Sequence, residues 1–119
     1  MTRINAGIPP KELHTKHLIA EHREIKRVPS LVKKRTDFTD IPSKFKLGSG
    51  HVRFFYDKLG YLKKRYEEIY AECLSRNYRV TYFGDSWNGV PDNLMRDWSP
   101  TEEDIAQVRD RIAQRTPKK

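Results

Sequence analysis

Hydrophobic residues recur at helical spacing in three stretches of the chain, and polar connections separate the stretches. The clearest stripe lies between positions 55 and 73, where apolar residues stand three or four apart: Phe55, Leu59, Leu62, Tyr66, Ile69 and Cys73. This spacing places all six on one helix face, so we predict a helix from about Lys58 to Arg76 that packs against a core. Gly60 is a weak point in it.

A second helical stretch begins near Pro10 or Thr15 and runs to about Lys34. Pro10 suits a first helical turn. Pro29 cannot donate a backbone hydrogen bond and crowds the preceding turn, so it should kink or split this helix.

The third predicted helix runs from about Pro100 to Gln114. Ser99 is a good N-cap, and Glu102 follows it at the spacing of a capping box. Its apolar face consists of Ile105, Val108 and Ile112.

The connections between these helices are long and rich in turn-forming residues. Positions 37–50 include Pro42 and two glycines, and positions 77–98 include Gly84, Gly89 and Pro91. Positions 79–83 resemble an extended segment but have no evident strand partner. We therefore predict an all-α fold: a single compact domain over residues 1–119, with about three main helices and long irregular connections.

Composition narrows the function classes. Of 119 residues, 36% are hydrophobic and 34% charged, and no apolar run approaches the roughly 20 residues of a membrane helix. The only cysteine, Cys73, excludes an internal disulfide and a multi-thiolate metal site, and we expect a monomeric protein of the reducing cytoplasm. The net charge is +8, and six of these charges lie in residues 1–36. Such an excess indicates either a polyanionic partner, with nucleic acid the first candidate, or a solubilising surface.

A helical wheel of the second stretch separates its residue types. The core face consists of Leu18, Ile25, Val28 and Val32, and the opposite face carries Lys16, Arg23 and Arg27. Glu24 and His17 fall between these faces, whereas Glu21 points closer to the core. Glu24 is therefore either a general acid/base beside a bound polyanion or an acid that pairs with a nearby cation.

Histidines and acids are dense in the same stretch, which raises the question of a metal. His17 and Glu21 have the i, i+4 spacing that zinc sites use, and His14, His22 and Glu24 are close by. However, the chain has neither an HExxH motif nor paired cysteines, so we predict no metal and no cofactor.

The N-terminus offers a second chemical group. Thr2 is small enough for Met1 to be removed, and Thr2 would then carry a free α-amine. An α-amine has a reference pKa of about 7.7 to 8.0, so a sizeable fraction is unprotonated at neutral pH. Such an amine can form a Schiff base, as catalytic lysines do. The alternative is an ordinary processed N-terminus.

Three blocks of sequence resemble one known family. They are Thr2-Arg3-Ile4-Asn5, residues 17–28 (HLIAEHREIKRV) and residues 47–59 (LGSGHVRFFYDKL). Together with Ala71-Glu72-Cys73-Leu74 and Ile112-Ala113-Gln114-Arg115, they are similar to the phage endonuclease V type of pyrimidine-dimer DNA glycosylase.

The resemblance implies a small all-α DNA repair enzyme that needs no metal and acts on double-stranded DNA with damaged or abasic sites. It implies that the amine of Thr2 attacks the anomeric carbon, that Glu24 assists the proton transfers, and that β-elimination cuts the strand. By the same resemblance, phosphates are bound by Arg3, Arg23, Arg27 and Arg111, and His17 lies near the active site. The base opposite the lesion is turned out of the stack.

The sequence also departs from the family. Gln107 replaces the first residue of a basic pair that ends at Arg111, and Lys26 replaces a proline. Trp87 and Trp98 either stack on bases or pack in the core, and core packing is the favoured interpretation. A second hypothesis for the whole chain is a basic helical module that binds DNA without chemistry.

Overall fold

The computed structural model describes residues 4–35, 37–48 and 50–115, apart from the side chain of Arg115. Thr2 and Arg3 lie outside these residues. The helices of the described part are α1 (Thr15–Glu24), α2 (Arg27–Lys33), α3 (His51–Phe54), α4 (Leu59–Ser75) and α5 (Glu102–Arg115). Short 3-10 turns cover Pro10–Glu12, Phe55–Asp57, Gly84–Trp87 and Asp92–Leu94. No β-strand occurs in the described ranges, and the predicted all-α fold is confirmed.

Helix α4 is the central element of the fold. Its observed bounds differ by one residue at each end from the predicted Lys58 to Arg76. Five of the six stripe residues lie in α4, and Phe55 lies in the 3-10 turn just before it; all six are fully buried. The amphipathic pattern therefore identified the face that packs against α1 and the N-terminal segment.

The break predicted at Pro29 is present, but it lies earlier in the chain. Helix α1 ends at Glu24, and α2 begins at Arg27, so Pro29 sits in the first turn of α2. Since Pro29 has no N–H to donate, the Ile25 carbonyl accepts from the Val28 N–H at 3.2 Å. The tighter turn at Ile25 and Lys26 separates the two helices one turn before the proline.

The start of α5 differs from the prediction. The capping box is formed by Thr101 and Asp104, not by Ser99 and Glu102: the Thr101 Oγ1 accepts from the Asp104 N–H at 3.1 Å, and the Asp104 Oδ2 accepts from the Thr101 N–H at 3.0 Å. A hydroxyl residue and an acid three positions later thus form the capping box, but two residues after the predicted pair. The predicted apolar face is confirmed, because Val108 is fully buried and Ile105 and Ile112 pack against the core.

Gly60 has a structural role in the first turn of α4. A Cβ built at this position would lie 2.6 Å from the Met95 carbonyl oxygen and 3.0 Å from that of Arg96. The Tyr61 N–H donates to the Arg96 carbonyl at 3.2 Å. The segment around Met95 therefore lies directly against the helix backbone.

The long connections contribute aromatic side chains to the core. Trp87 is buried, and its Nε1 donates to the Leu59 carbonyl at 3.1 Å. Trp98 is half-buried and stacks on Phe45, with ring centroids 5.6 Å apart. Both tryptophans pack as the favoured interpretation predicts. No helix in the described ranges is long and apolar enough to cross a membrane.

Candidate active site and basic surface

The two faces predicted for the first helical stretch are present on α1 and α2. Leu18, Ile25, Val28 and Val32 are buried, whereas the three cations of the opposite side are exposed. We call these cations the basic face; it consists of Lys16, Arg23 and Arg27. The break between α1 and α2 does not remove Arg27 from solvent, so the face runs across both helices.

Glu24 lies at the boundary between the basic face and the core. Its side chain is 15% exposed, and its Oε2 accepts from the Arg23 Nη2 at 3.2 Å. Arg23 is 59% exposed, so this ion pair opens to solvent on the arginine side. His17 is half-buried two helical turns before Glu24, on the same side of α1. The structure thus places Glu24 and His17 at the boundary between the two faces, as the helical wheel predicts, and Arg23 pairs with Glu24 from the basic face.

An open groove adjoins the basic face on α2. Its volume is about 260 Å³, and Lys26, Arg27, Ser30, Leu31 and Lys34 line it. The Lys26 Nζ lies 3.4 Å from the centre of the Phe83 ring, a cation–π contact. Three cations beside one exposed leucine suit a ligand with both anionic and apolar parts.

Residues Ile4 and Asn5 are the first that the structure describes, and they are buried and bonded on several sides. The Ile4 N–H donates to the His51 Nε2 at 2.9 Å, and the Asn5 Nδ2 donates to the Glu21 Oε1 at 2.8 Å. The Ile8 N–H donates to the Asn5 carbonyl at 3.2 Å. The chain that follows Thr2 and Arg3 is therefore attached to the inner side of α1.

Arg111 reaches the same two residues from α5. Its Nη2 donates to the Ile4 carbonyl at 3.2 Å and to the Asn5 Oδ1 at 3.3 Å. The family resemblance implies a phosphate contact for Arg111, and the structure places its guanidinium beside the N-terminal segment. The phosphate contact stays a prediction.

Glu21 lies deeper than Glu24 and has a different partner. Its side chain is 1% exposed and that of Arg65 is 5% exposed. The guanidinium donates to both Glu21 oxygens, at 2.5 and 3.1 Å, and to the Ile8 carbonyl at 2.8 Å. Glu21 is therefore a structural carboxylate that joins α1, α4 and the N-terminal segment.

His22 is a second buried polar residue of α1. The Tyr66 hydroxyl accepts from the Phe83 N–H at 2.6 Å and is hydrogen-bonded to the His22 Nε2 at 3.1 Å. Burial raises the pKa of Tyr66 to about 12 and, with the nearby charge of Lys26, lowers the pKa of His22. His22 thus lies among the rings of Tyr66, Tyr70 and Phe83, which favour its neutral form over its charged form. Within the described residues, no group of three or more His, Cys, Asp and Glu side chains could bind a metal ion.

The match to a family comes from the same part of the chain. Residues 1–83 match the model of a family described as pyrimidine dimer DNA glycosylase. The chain belongs to this family. The resemblance seen in the sequence is thereby confirmed, and DNA with pyrimidine dimers is the substrate class of such a glycosylase.

The matched range of this glycosylase contains α1 to α4 and every predicted site residue except Arg111. Residues 84–115 nevertheless join the same core through Trp87, Leu94 and Val108.

Sequence reasoning did not assign a role to Arg65, His51 or His22. Each of these buried polar residues bonds to a residue 44 or 47 positions away, so no local spacing signals the contact. His22 and His51 do lie in the sequence blocks that resemble the family, and this was the only indication in the sequence that they matter.

Proposed function

We propose that this glycosylase also has abasic-site lyase activity, with the α-amine of Thr2 as nucleophile. The amine attacks C1′ of the damaged nucleotide, the bond from C1′ to the base breaks, and the opened sugar is joined to the amine as an imine. Loss of a proton from C2′ then expels the 3′ phosphate oxygen by β-elimination.

The observation that carries this proposal is the attachment of Asn5 to Glu21. Glu24 lies one turn after Glu21 on a similar side of α1. Asn5 lies three positions after Thr2, and an extended chain over three positions spans at most about 11 Å. The proposal therefore requires the amine to meet the half-buried carboxylate of Glu24 within that span.

Glu24 would stabilise the cationic intermediate and move protons at the sugar. Its ion-pair partner Arg23 is 59% exposed and can turn toward a phosphate. An acid beside a basic face opposes phosphate binding, which supports a chemical role for Glu24.

The basic face and Arg3 would bind phosphates around the lesion, and His17 would lie beside the reacting sugar. The groove of Lys26, Arg27, Ser30, Leu31 and Lys34 would receive the base that is turned out of the stack. Leu31 offers an apolar surface to a base, and the cations flank it for the adjoining phosphates.

The test is borohydride trapping on a duplex with one abasic site, followed by peptide mapping. The adduct should map to the N-terminal residue of the protein from which Met1 has been removed. Thr2→Ala should keep substantial activity because it keeps the amine, whereas one extra residue before Thr2 should abolish trapping. An adduct on a lysine would refute the assignment of the amine. The absence of any adduct, with binding intact, would favour the module that binds DNA without chemistry.

A further inference from the structure

The polar contacts of Ile4 and Asn5 come from three separate helices. Glu21 of α1 accepts from the Asn5 amide, Arg111 of α5 donates to the Ile4 carbonyl, and His51 of α3 accepts from the Ile4 N–H. Of these contacts, the one to the Ile4 N–H is nearest to Thr2 along the chain. Thr2 lies two positions before Ile4, and a chain over two positions spans at most about 7 Å. The hydrogen bond to the Ile4 N–H therefore fixes the point from which the chain to Thr2 starts.

The hydrogen bonds of His51 define which ring nitrogen carries the proton. The His51 Nδ1 lies 2.9 Å from the Lys46 carbonyl, which can only accept, so Nδ1 donates. The Nε2 is then the acceptor for the Ile4 N–H at 2.9 Å. The ring thus bridges the backbone of the 45–48 segment and the backbone of the N-terminal segment.

The surroundings of His51 fix the orientation of its ring. Phe45 and Phe55 contact it edge to face, with centroids 5.6 and 5.4 Å away. His51 is the first residue of α3, directly after Gly50, whose φ of 87° favours glycine. A left-handed turn and two aromatic rings therefore orient a single acceptor nitrogen toward Ile4.

We propose that His51 is a positioning residue for the reaction, which acts through the Ile4 N–H to set the place of the Thr2 amine relative to Glu24. The inference rests on the proposed function, since it matters for the rate only if the amine is the nucleophile. A nucleophile displaced by about 1 Å can lose on the order of 100-fold in rate while binding is unchanged. His51 is itself buried and need not touch DNA.

Two amide variants separate this role from general support of the fold. His51→Gln places an acceptor near the position of Nε2 and so can still accept from Ile4. His51→Asn places its amide near the position of Nδ1, so it keeps a donor for Lys46 but does not reach Ile4. Trp87→Phe is the control, because it removes a buried hydrogen bond to the Leu59 carbonyl and none to the N-terminal segment.

The measurement is the single-turnover rate of borohydride trapping at saturating abasic duplex, alongside the Kd for that duplex. We expect His51→Asn to be slower by roughly 10- to 100-fold, with Kd within about twofold of the unmodified protein. His51→Gln should be within about threefold of the unmodified rate, and Trp87→Phe within about twofold. Equal losses in His51→Asn and in a His51→Gln variant that still protects the Ile4 amide from exchange, or an unchanged rate in His51→Asn, would overturn the proposal.

Hydrogen exchange of the Ile4 amide keeps the test decisive if His51→Asn does not fold. In His51→Gln, the trapping rate and the protection of the Ile4 amide against exchange should either both be kept or both be lost. A full rate with an unprotected Ile4 amide, or a lost rate with a protected one, would overturn the inference. Failure of the unmodified protein to form an adduct at its N-terminus would instead refute the proposed function, independently of any His51 variant.

Discussion

Breaking the Glu21–Arg65 pair should cost far more stability than any ion pair on the surface. Glu21→Gln leaves the guanidinium buried, with a neutral amide in place of the carboxylate. Removal of one partner from a buried pair costs about 3 to 5 kcal/mol. A domain of 119 residues has a total free energy of unfolding of roughly 6 to 18 kcal/mol. The variant should therefore lose a large fraction of its stability.

Urea unfolding measures this loss directly. With a slope of about 2 kcal/mol per molar urea, a loss of 4 kcal/mol lowers the midpoint by about 2 M. Arg65→Met should lower it similarly, because it leaves the Glu21 carboxylate buried without its cation. The double variant should lose less than the sum of the two, since neither charge then stays buried alone.

Lys64→Gln is the matched control, because Lys64 is the neighbour of Arg65 on α4 and forms an ion pair at the surface. Lys64 pairs with Asp97 at 2.7 Å, but their side chains are 68% and 60% exposed. This change should cost at most about 1 kcal/mol. If Glu21→Gln and Lys64→Gln shift the midpoint equally, or if the losses at Glu21 and Arg65 simply add, the structural role argued for the buried pair is wrong.

Three further results should follow from the site. Glu24→Gln should bind DNA as tightly as before or more tightly while turnover falls about 100-fold or more, and equal losses in binding and turnover would indicate a structural residue. Arg23→Gln and Arg27→Gln, tested separately, should each weaken binding alike on damaged and undamaged duplexes and reduce the salt slope by about one unit; an unchanged slope would exclude the basic face from the DNA path. Because burial and Lys26 lower the pKa of His22 below 6.5, the unfolded chain binds its proton more readily. The free energy of unfolding should therefore fall by up to about 1.4 kcal/mol per pH unit below about pH 6.5 and level off below the folded pKa, and His22→Gln should flatten that region of a urea-derived stability profile.

The parts of the fold that the sequence predicted depend on regular local spacing. Helix α4 was predicted within one residue at each end, because its apolar stripe alternates by three and four positions. The polar and apolar sides of α1 followed from the same rule. At the start of α5 two cap sequences overlap, Ser99 with Glu102 and Thr101 with Asp104, and spacing alone did not separate them.

The candidate site was predicted only where its residues share one helix. Glu24, His17 and Arg23 follow from the wheel, whereas the contact between His51 and Ile4 joins residues 47 positions apart. Arg65 illustrates the same limit: it lies among apolar stripe residues of α4, and only the fold brings Glu21 to it. Tertiary packing, not local propensity, decides such contacts.

Gly60 limits how this protein can be made more stable. Replacement of a glycine inside a helix by alanine ordinarily gains about 1 kcal/mol, and Gly60 is a first choice by that rule. Here the added methyl group would collide with the Met95 carbonyl, a backbone atom that cannot rotate away as a flexible side chain can. The segment that would be displaced continues to Trp98, which packs on Phe54 and Tyr61. An engineer who follows helix propensity at this position would thus weaken the protein, and mutational libraries should return glycine at position 60.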